Sequence, residues 1–351
     1  MMKRRNLRTT WRAALLMGLV LGVPLGAQAK GPFPLTPELR DSLNGPDATW
    51  PADPAVPDLP PLPKTDDPPP PSDNFLYTRF WDGLHPPKEG PPARRPRTRP
   101  VTSEDPLEVD VIFSMRSPYS YLVSNRLVWL HSNYNVDVNI RMVLPEAVRS
   151  TKGGSGKAGG AFARFYFVPY AMWDGVMNAR FLGVPYKWPV PDPIWQDFIP
   201  VVGEHYLYVH PPEKQPYISW LVRLACYAQL KGKSIEYVNE VATLIWGDEV
   251  PHWPAHVKER FNRIEGLVYD DAIEYIRKNP KEIDGIWQGN AIAQHQAGHG
   301  GVPLMIINGE PFFGGDRFDQ FFSRLRENGL TKRQEPRAPF TTKPLRWPEG
   351  Q

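Results

Sequence analysis

The chain has 351 residues, of which 42 are proline and one is cysteine, and its formal net charge is +3. A single cysteine excludes an intramolecular disulfide framework, a Cys-x-x-Cys redox pair and a multi-cysteine zinc site. Twenty of the prolines lie between residues 31 and 100, so the remainder has the composition of an ordinary globular protein. The small charge excess does not by itself indicate a nucleic-acid partner, since no basic stripe accompanies the aromatic residues.

The first 29 residues have the layout of a secretory signal peptide. Five basic residues precede an apolar run from Ala13 to Leu25, and Ala27-Gln28-Ala29 follows as a small-x-small cleavage site. The run is shorter than the ~20 residues that a membrane span needs, so we expect cleavage after Ala29 and no stable span in the mature chain. Cleavage removes five of the 41 basic residues and none of the 38 acidic ones, which makes the net charge −2. The expected location is the periplasm or another exported compartment.

Residues 30–106 are predicted to be a proline-rich disordered linker. Stretches such as Pro57–Pro63 favour extended polyproline conformations and lack both backbone donors and apolar periodicity. The aromatic stretch Phe75–Trp81 is the exception, and it is typical of a piece that docks on a folded domain or a partner. Residues 331–351 again carry prolines and charges and are predicted to be a tail.

Residues 107–330 are predicted to form the folded domain. Glu108–Ser114 and Asn135–Leu144 have the apolar pattern of strands, and Pro118–Leu130 between them has helical spacing. Ser117 suits the N-cap of that helix, with Pro118 as its first residue. A strand, a helix and a second strand make a βαβ unit with parallel strands.

A mostly helical insertion is predicted over about 161–298, and a ββα unit follows it. The predicted helices of the insertion are Tyr217–Lys231, Ser234–Trp246, His256–Ile264 and Asp270–Lys278. Pro303–Asn308 and Pro311–Phe313 read as strands around an Asn308-Gly309 hairpin turn. Asp316–Asn328 reads as a closing helix, with Phe318, Phe321, Phe322 and Leu325 inward and Gly329 as its stop. The predicted fold class is α/β, a thioredoxin-like fold with a proline-rich N-terminal extension.

Three blocks of sequence resemble one family. They are residues 113–122 (FSMRSPYSYL), residues 179–189 (ARFLGVPYKWP) and residues 301–317 (GVPLMIINGEPFFGGDR). In this order they resemble the 2-hydroxychromene-2-carboxylate isomerases and the kappa-class glutathione transferases, which belong to the DsbA-like branch of the thioredoxin superfamily. The resemblance covers about residues 109–330.

Ser117 and Ser120 stand where redox-active relatives carry a Cys-x-x-Cys pair. Serine forms no disulfide, so the turn cannot act as a dithiol oxidase or reductase. A hydroxyl beside the free N–H groups of a helix N-terminus suits an anion. The resemblance implies that Ser117 is catalytic and binds the sulfur of glutathione as a thiolate; the alternative is that Ser117 only caps its helix.

The third block supplies the other candidate site residues. The resemblance implies a cis bond between Val302 and Pro303, which leaves the backbone of Val302 free to pair with a ligand. It also implies that Gly315 and Asp316 bind the γ-glutamyl end of glutathione, whereas the alternative role of Asp316 is the N-cap of its helix.

The chain departs from the family in the glycine-rich stretch 151–160. The family has an asparagine followed by prolines there, and this chain has neither. Lys157 and Arg164 are the basic residues available for the missing contact. The departure favours a reading in which glutathione is not the ligand.

Two functions follow as hypotheses. The first is an exported glutathione-dependent isomerase or transferase that acts on a small aromatic substrate held in an apolar, aromatic cleft. The alternative is a redox-inactive, DsbA-like envelope protein that binds peptides or a protein partner beside Pro303. The His252/His256 and His295/His299 pairs lack the further ligands of a metal site. Cys226 lies in an apolar helical pattern typical of a buried, inert thiol.

Overall fold

The computed structural model describes residues 53–63, 100–149, 167–201 and 204–337. The predicted signal peptide, the aromatic stretch 75–81 and the glycine-rich stretch 151–160 lie outside those ranges. The strands are β1 (Leu107–Phe113), β2 (Val136–Met142), β3 (Gln196–Val201), β4 (Glu204–Val209), β5 (Leu304–Ile307) and β6 (Glu310–Phe313). The α-helices are α1 (Pro118–Asn133), α2 (Glu146–Arg149), α3 (Phe167–Leu182), α4 (Pro216–Leu230), α5 (Ser234–Tyr237), α6 (Thr243–Trp246), α7 (Val257–Asn262), α8 (Tyr269–Lys278), α9 (Pro280–Gln296) and α10 (Phe318–Glu327).

Four strands form the central sheet in the order β2-β1-β5-β6. β1 pairs with β2 in parallel and with β5 in antiparallel register, and β5 pairs with β6 in antiparallel register. Asn308 and Gly309 both have positive φ, 49° and 77°, as a two-residue hairpin turn of this kind requires. This connectivity, with a largely helical insertion between β2 and β5, confirms the predicted thioredoxin-like fold.

The sheet is covered by helices because its strands are apolar on both faces. Ile112 and Leu304 lie in a small cluster with Ala291 and Ala297, which belong to α9 and the turn after it. The next residue along β1, Phe113, points to the main core. The predicted inward residues of α10 are all buried; they are Phe318, Phe321, Phe322 and Leu325.

The insertion is built around α4, which is buried along most of its length. It also contains an antiparallel hairpin of β3 and β4 that the sequence reading missed. Pro200 lies inside β3 and pairs with His205; a proline inside an apolar run is a signal against a strand. No helix of the described residues is long and apolar enough to cross a membrane.

Two segments predicted to be linker and tail are fixed in place. Residues 53–63 pack on the insertion, and Leu62 retains only 2% of its exposure. At the other end of the chain, Arg333 and Arg337 donate their backbone N–H groups to the carbonyls of Asn133 and Ser132, at 2.9 and 3.0 Å. These carbonyls are among those that the end of α1 leaves without a helical partner. The expectation of an unstructured linker and tail is therefore wrong for residues 53–63 and 331–337.

Candidate active site

The turn before α1 places Ser117 at the end of the sheet. The Ser117 N–H donates to the Ser114 carbonyl at 3.1 Å, which closes the turn. Ser117 has extended backbone angles, φ −88° and ψ 118°, and its Oγ accepts the N–H of Ser120 at 3.2 Å. Ser117 is thus the predicted N-cap, with Pro118 as the first helical residue.

Capping the helix does not use up the Ser117 hydroxyl. A serine hydroxyl has two acceptor lone pairs and one donor hydrogen, and the bond from Ser120 occupies one lone pair. The hydrogen remains free to point at an anion placed before the helix. The Ser117 hydroxyl can therefore cap its helix and donate a hydrogen bond to a sulfur at the same time.

Ser120 is unsuited to bind an anion before the helix because it is fully buried. Its Oγ finds no hydrogen-bond partner among the described residues, and its N–H is the one that Ser117 accepts. Of the two hydroxyls, Ser117 and Ser120, that stand where the resemblance implies a cysteine pair, only that of Ser117 belongs to a partly exposed residue.

An ion pair fastens the turn to the insertion. Arg116 donates through Nε and Nη2 to the two carboxylate oxygens of Asp192, both at 3.0 Å, and only about one-sixth of either side chain is exposed. The guanidinium also lies 4.6 Å from the ring centroid of Trp188. Asp192 accepts two further bonds, from the Ile194 N–H at 3.0 Å and from Gln196 Nε2 at 2.8 Å. The bidentate geometry fixes both the position and the orientation of the turn.

Aromatic residues form a packed wall behind the turn. Trp246 is fully buried and donates its Nε1–H to the Met115 carbonyl at 2.8 Å. The Tyr121 hydroxyl donates to the Pro185 carbonyl at 2.6 Å, and the Tyr186 ring stacks on Trp246 at 5.8 Å. These rings fill much of the boundary where the sequence predicted an apolar cleft.

Burial raises the pKa of the tyrosine hydroxyls of this region above their ordinary value. Desolvation raises the pKa of Tyr186 to about 12 and raises the pKa of Tyr121 further. The pKa of Tyr119 is raised by desolvation and by its hydrogen bond to Asp174, which it donates at 2.9 Å. At neutral pH these groups are donors and cannot serve as general bases.

Val302 and Pro303 lie at the same end of the sheet as Ser117. Their peptide bond is cis. Since Ile112 pairs with Leu304, continuing the antiparallel register brings Pro303 beside Phe113, four residues before Ser117. Within the described part of the chain, no hydrogen bond uses the backbone of Val302, so its polar groups are available to a ligand.

Gly315 also reaches this end of the fold. A Cβ built on Gly315 would lie 3.8 Å from the Tyr119 carbonyl and 3.6 Å from Val123 Cβ, so its backbone lies close to the first turns of α1. Asp316 is next to it, with 73% of its side chain exposed and an ion pair to Arg317 at 3.0 Å. It lies inside a short 3₁₀ turn and caps no helix, so the alternative role as an N-cap is wrong.

Residues before Pro303 add polar and aromatic groups that the sequence reading missed. His299 stacks on Phe313 with 3.8 Å between ring centroids, and its Nδ1 accepts the Gly301 N–H at 2.9 Å. Desolvation lowers the pKa of His299; the neutral ring therefore carries its hydrogen on Nε2. The sequence feature that could have indicated these groups is the glycine-rich stretch Gly298–Gly301, whose glycines let the backbone and the rings approach closely.

Arg149 is a buried cation beside the same loop. It ends α2 and donates Nη2 to the Gly300 carbonyl at 3.1 Å, with 6% of the residue exposed. Gln294, fully buried, donates to the Gly301 carbonyl at 2.8 Å. These bonds fix the loop that leads into the Val302–Pro303 bond.

The single thiol takes no part in this site. Cys226 is fully buried in α4, and desolvation raises the pKa of its thiol far above the usual value. Among the described residues no group of three or more histidine, cysteine or acidic side chains is placed to hold a metal ion.

A scan against protein-family models finds no match for the chain, and a search of curated proteins finds none either. Among solved structures the chain is similar to a 2-hydroxychromene-2-carboxylate isomerase, with 21% identity, a TM-score of 0.43 and coverage of 63% of this chain and 95% of the isomerase. It is similar to a probable DsbA oxidoreductase from Streptomyces coelicolor, with 14% identity, a TM-score of 0.43 and coverage of 63% and 89%. It is also similar to the cytosolic disulfide reductase DsbM from Pseudomonas aeruginosa solved with GSH, with 11% identity, a TM-score of 0.39 and coverage of 63% and 100%. A 2-hydroxychromene-2-carboxylate isomerase and DsbA-like proteins, both expected from the sequence resemblance, are therefore among the matches.

Proposed function

We propose that the protein is an exported, glutathione-dependent isomerase or transferase that acts on a small aromatic substrate. The observation that carries the proposal is the Ser117 hydroxyl, which caps α1 and keeps its hydrogen free at the end of the sheet where the Val302 backbone is unpaired. A thiolate placed before α1 would receive that hydrogen bond and the favourable field of the helix N-terminus. The backbone of Val302 would pair with the cysteinyl part of glutathione, and Gly315 and Asp316 would bind its γ-glutamyl end.

The reaction follows from the chemistry of a thiolate. Glutathione releases its thiol proton to water on binding, and the sulfur adds to a carbon of a substrate C=C bond, whose electron pair moves onto the conjugated carbonyl oxygen. In an isomerase the former double bond rotates and the electron pair returns to expel the sulfur, so the thiolate is regenerated. In a transferase the carbon–sulfur bond remains, and the enolate takes a proton from water. Neither course needs a second thiol in the protein, which agrees with the serines at positions 117 and 120.

Calorimetry with glutathione on the chain that begins at Lys30 tests the proposal. We expect binding to the wild-type chain and a loss of at least about tenfold in Ser117→Ala, because a hydrogen bond to a charged group contributes about 1.5–3 kcal/mol. Ser117→Asp is the matched control for capping, since aspartate is as good an N-cap as serine but offers the thiolate no hydrogen. Absence of binding at millimolar glutathione, or equal binding by all three proteins, would remove the proposal.

A second candidate function is supported by the outer face of α3. Tyr170, Trp173, Met177 and Phe181 lie on one stripe of this helix, and each is exposed by 37–67%. Asp174, at the edge of this stripe, contacts the site by accepting the hydroxyl of Tyr119. An exposed apolar stripe of this length suits a peptide better than a small molecule.

A permanently unfolded, carboxymethylated protein is the probe for this alternative. If the protein is a peptide binder, the wild-type chain binds the probe, and Trp173→Ser together with Phe181→Ser abolishes binding while the melting temperature is unchanged. Glutathione binding that survives in the same double variant would favour the enzyme. Probe binding that survives would count against the α3 stripe as the peptide site.

A further inference from the structure

The segment 53–63 lies on the insertion like a bound peptide. Its sequence, DPAVPDLPPLP, contains five prolines, and its side chains range from exposed, as at Pro54 and Asp58, to buried at Leu62. Leu62 belongs to the main core, and Val56 and Leu59 pack against it. Pro61, between these leucines in the sequence, is exposed.

A buried guanidinium recognises the backbone of this segment. Arg223 has no exposed surface; its Nη1 donates to the Pro60 carbonyl and its Nη2 donates to the Pro61 carbonyl at 3.3 Å. The remaining donors bind Asp284, at 2.9 and 2.7 Å, and the Ser219 hydroxyl at 3.1 Å. An arginine has five N–H donors, so two of them are directed at the segment and all five are used.

The other end of the segment is held by its acidic side chain. The Asp53 Oδ2 accepts the Tyr217 hydroxyl at 2.8 Å and lies 2.9 Å from His252 Nε2. Near the middle, Arg277 donates its Nε to the Asp58 carbonyl at 2.9 Å. The groove thus donates hydrogen bonds to carbonyls and to one carboxylate of the segment, and none of these contacts uses a backbone N–H of the segment.

We propose that the groove formed by α4, α8, α9 and the Tyr217–His252 rim is a binding site for proline-rich peptides, which residues 53–63 occupy in cis. Its ligand is an extended peptide with an acidic side chain, two consecutive prolines whose carbonyls meet Arg223, and a leucine on either side of them. Proline suits such a site because it lacks the N–H that the groove cannot satisfy and because the polyproline conformation is already extended before binding. Residues 100–337 then form a receptor, and residues 53–63 are its resident ligand.

The test converts the resident ligand into a separate chain. A specific protease site is inserted after Lys64 in the full-length protein, and the protein is cut there, so that residues 53–63 are held by the groove alone. We expect the cut fragment to co-elute with the body in gel filtration. A labelled peptide of residues 52–64 should replace it and give saturable fluorescence anisotropy.

Two controls test whether the peptide binds specifically in the groove. A peptide with Leu59→Asp and Leu62→Asp should bind at least about tenfold more weakly, since the buried Leu62 alone contributes more than that factor. Tyr217→Phe in the body removes the hydroxyl donor to Asp53 and should weaken the wild-type peptide about fivefold. Equal binding of both peptides, or a fragment that separates while the body stays folded and binds neither, would overturn the proposal. Unfolding of the body on release of the fragment would also overturn it, because the segment would then be an integral part of the fold.

Discussion

The buried pair of Arg223 and Asp284 allows a quantitative prediction about stability. Arg223 is fully buried and only 9% of the Asp284 side chain is exposed. Asp284→Leu leaves a charged guanidinium without its counter-ion. It also removes the acceptor of the Trp287 Nε1–H, which donates to Asp284 at 3.0 Å in the wild-type chain. Breaking a buried pair in this way costs about 3–5 kcal/mol, a large part of the ~5–15 kcal/mol that stabilises a domain. Arg223→Met leaves the carboxylate unpaired and should cost a similar amount.

The double variant decides whether this reasoning holds. With both charges removed, no unpaired ion stays buried, so we expect the double variant to lose at least about 2 kcal/mol less than the sum of the two single variants. Urea unfolding followed by circular dichroism measures the free energies. The exposed pair of Lys258 and Asp270, 56% and 69% exposed, is the matched control; Lys258→Met should change the free energy of unfolding by less than about 1 kcal/mol. Losses that add to within about 0.5 kcal/mol in the Arg223–Asp284 cycle would refute the reasoning.

Three further predictions concern other sites. Desolvation and Arg337 lower the pKa of the buried His131 to about 3, whereas an unfolded histidine titrates near ~6.5. As the pH falls, the unfolded state therefore binds the proton first. The free energy of unfolding should decrease by up to about 1.4 kcal/mol per pH unit from ~6.5 towards 3. His131→Asn should flatten this decline in urea titrations over that range, and an unchanged slope would contradict the assignment. A Cβ on Gly301 would lie 2.4 Å from the Phe313 ring and 2.8 Å from His299. Gly301→Ala should therefore open the ring stack and shift the His299 ring resonances in NMR spectra. At Gly300 a Cβ meets nothing within 4 Å, so Gly300→Ala should leave those resonances unchanged. Asp192→Asn should lower the free energy of unfolding by about 1.5–3 kcal/mol, since Arg116 loses a charged acceptor, and an undiminished stability would show that the pair does not fasten the turn.

Local sequence signals predicted the central fold because they agree with the tertiary structure there. Ser117 and Pro118 start α1 as their types favour, and Asn308-Gly309 adopts the positive φ angles that these residue types favour in a hairpin turn. The four inward residues of α10 follow the helical period. In these elements local preference and burial point to the same structure.

The missed features depend on contacts between residues far apart in the chain. Nothing in the sequence of residues 53–63 shows that Arg223, some 160 positions later, donates to its carbonyls. The pairing of Arg116 with Asp192 spans 76 positions and has no periodic signature. The polar groups around Val302 were missed for the same reason, since Arg149 donates to the Gly300 carbonyl across 151 positions of the chain.

The most direct test of the proposed function is the pKa of the thiol of bound glutathione. A free cysteine thiol titrates near ~8.5, and the thiolate is followed by its ultraviolet absorbance as the pH of the saturated complex is raised. A hydrogen bond from Ser117 and the field of the α1 N-terminus should lower this pKa by about one to two units, and Ser117→Ala should reverse at least about one unit of the change. A bound thiol that titrates at its free value, or a lowered pKa that survives Ser117→Ala, would contradict the role assigned to Ser117.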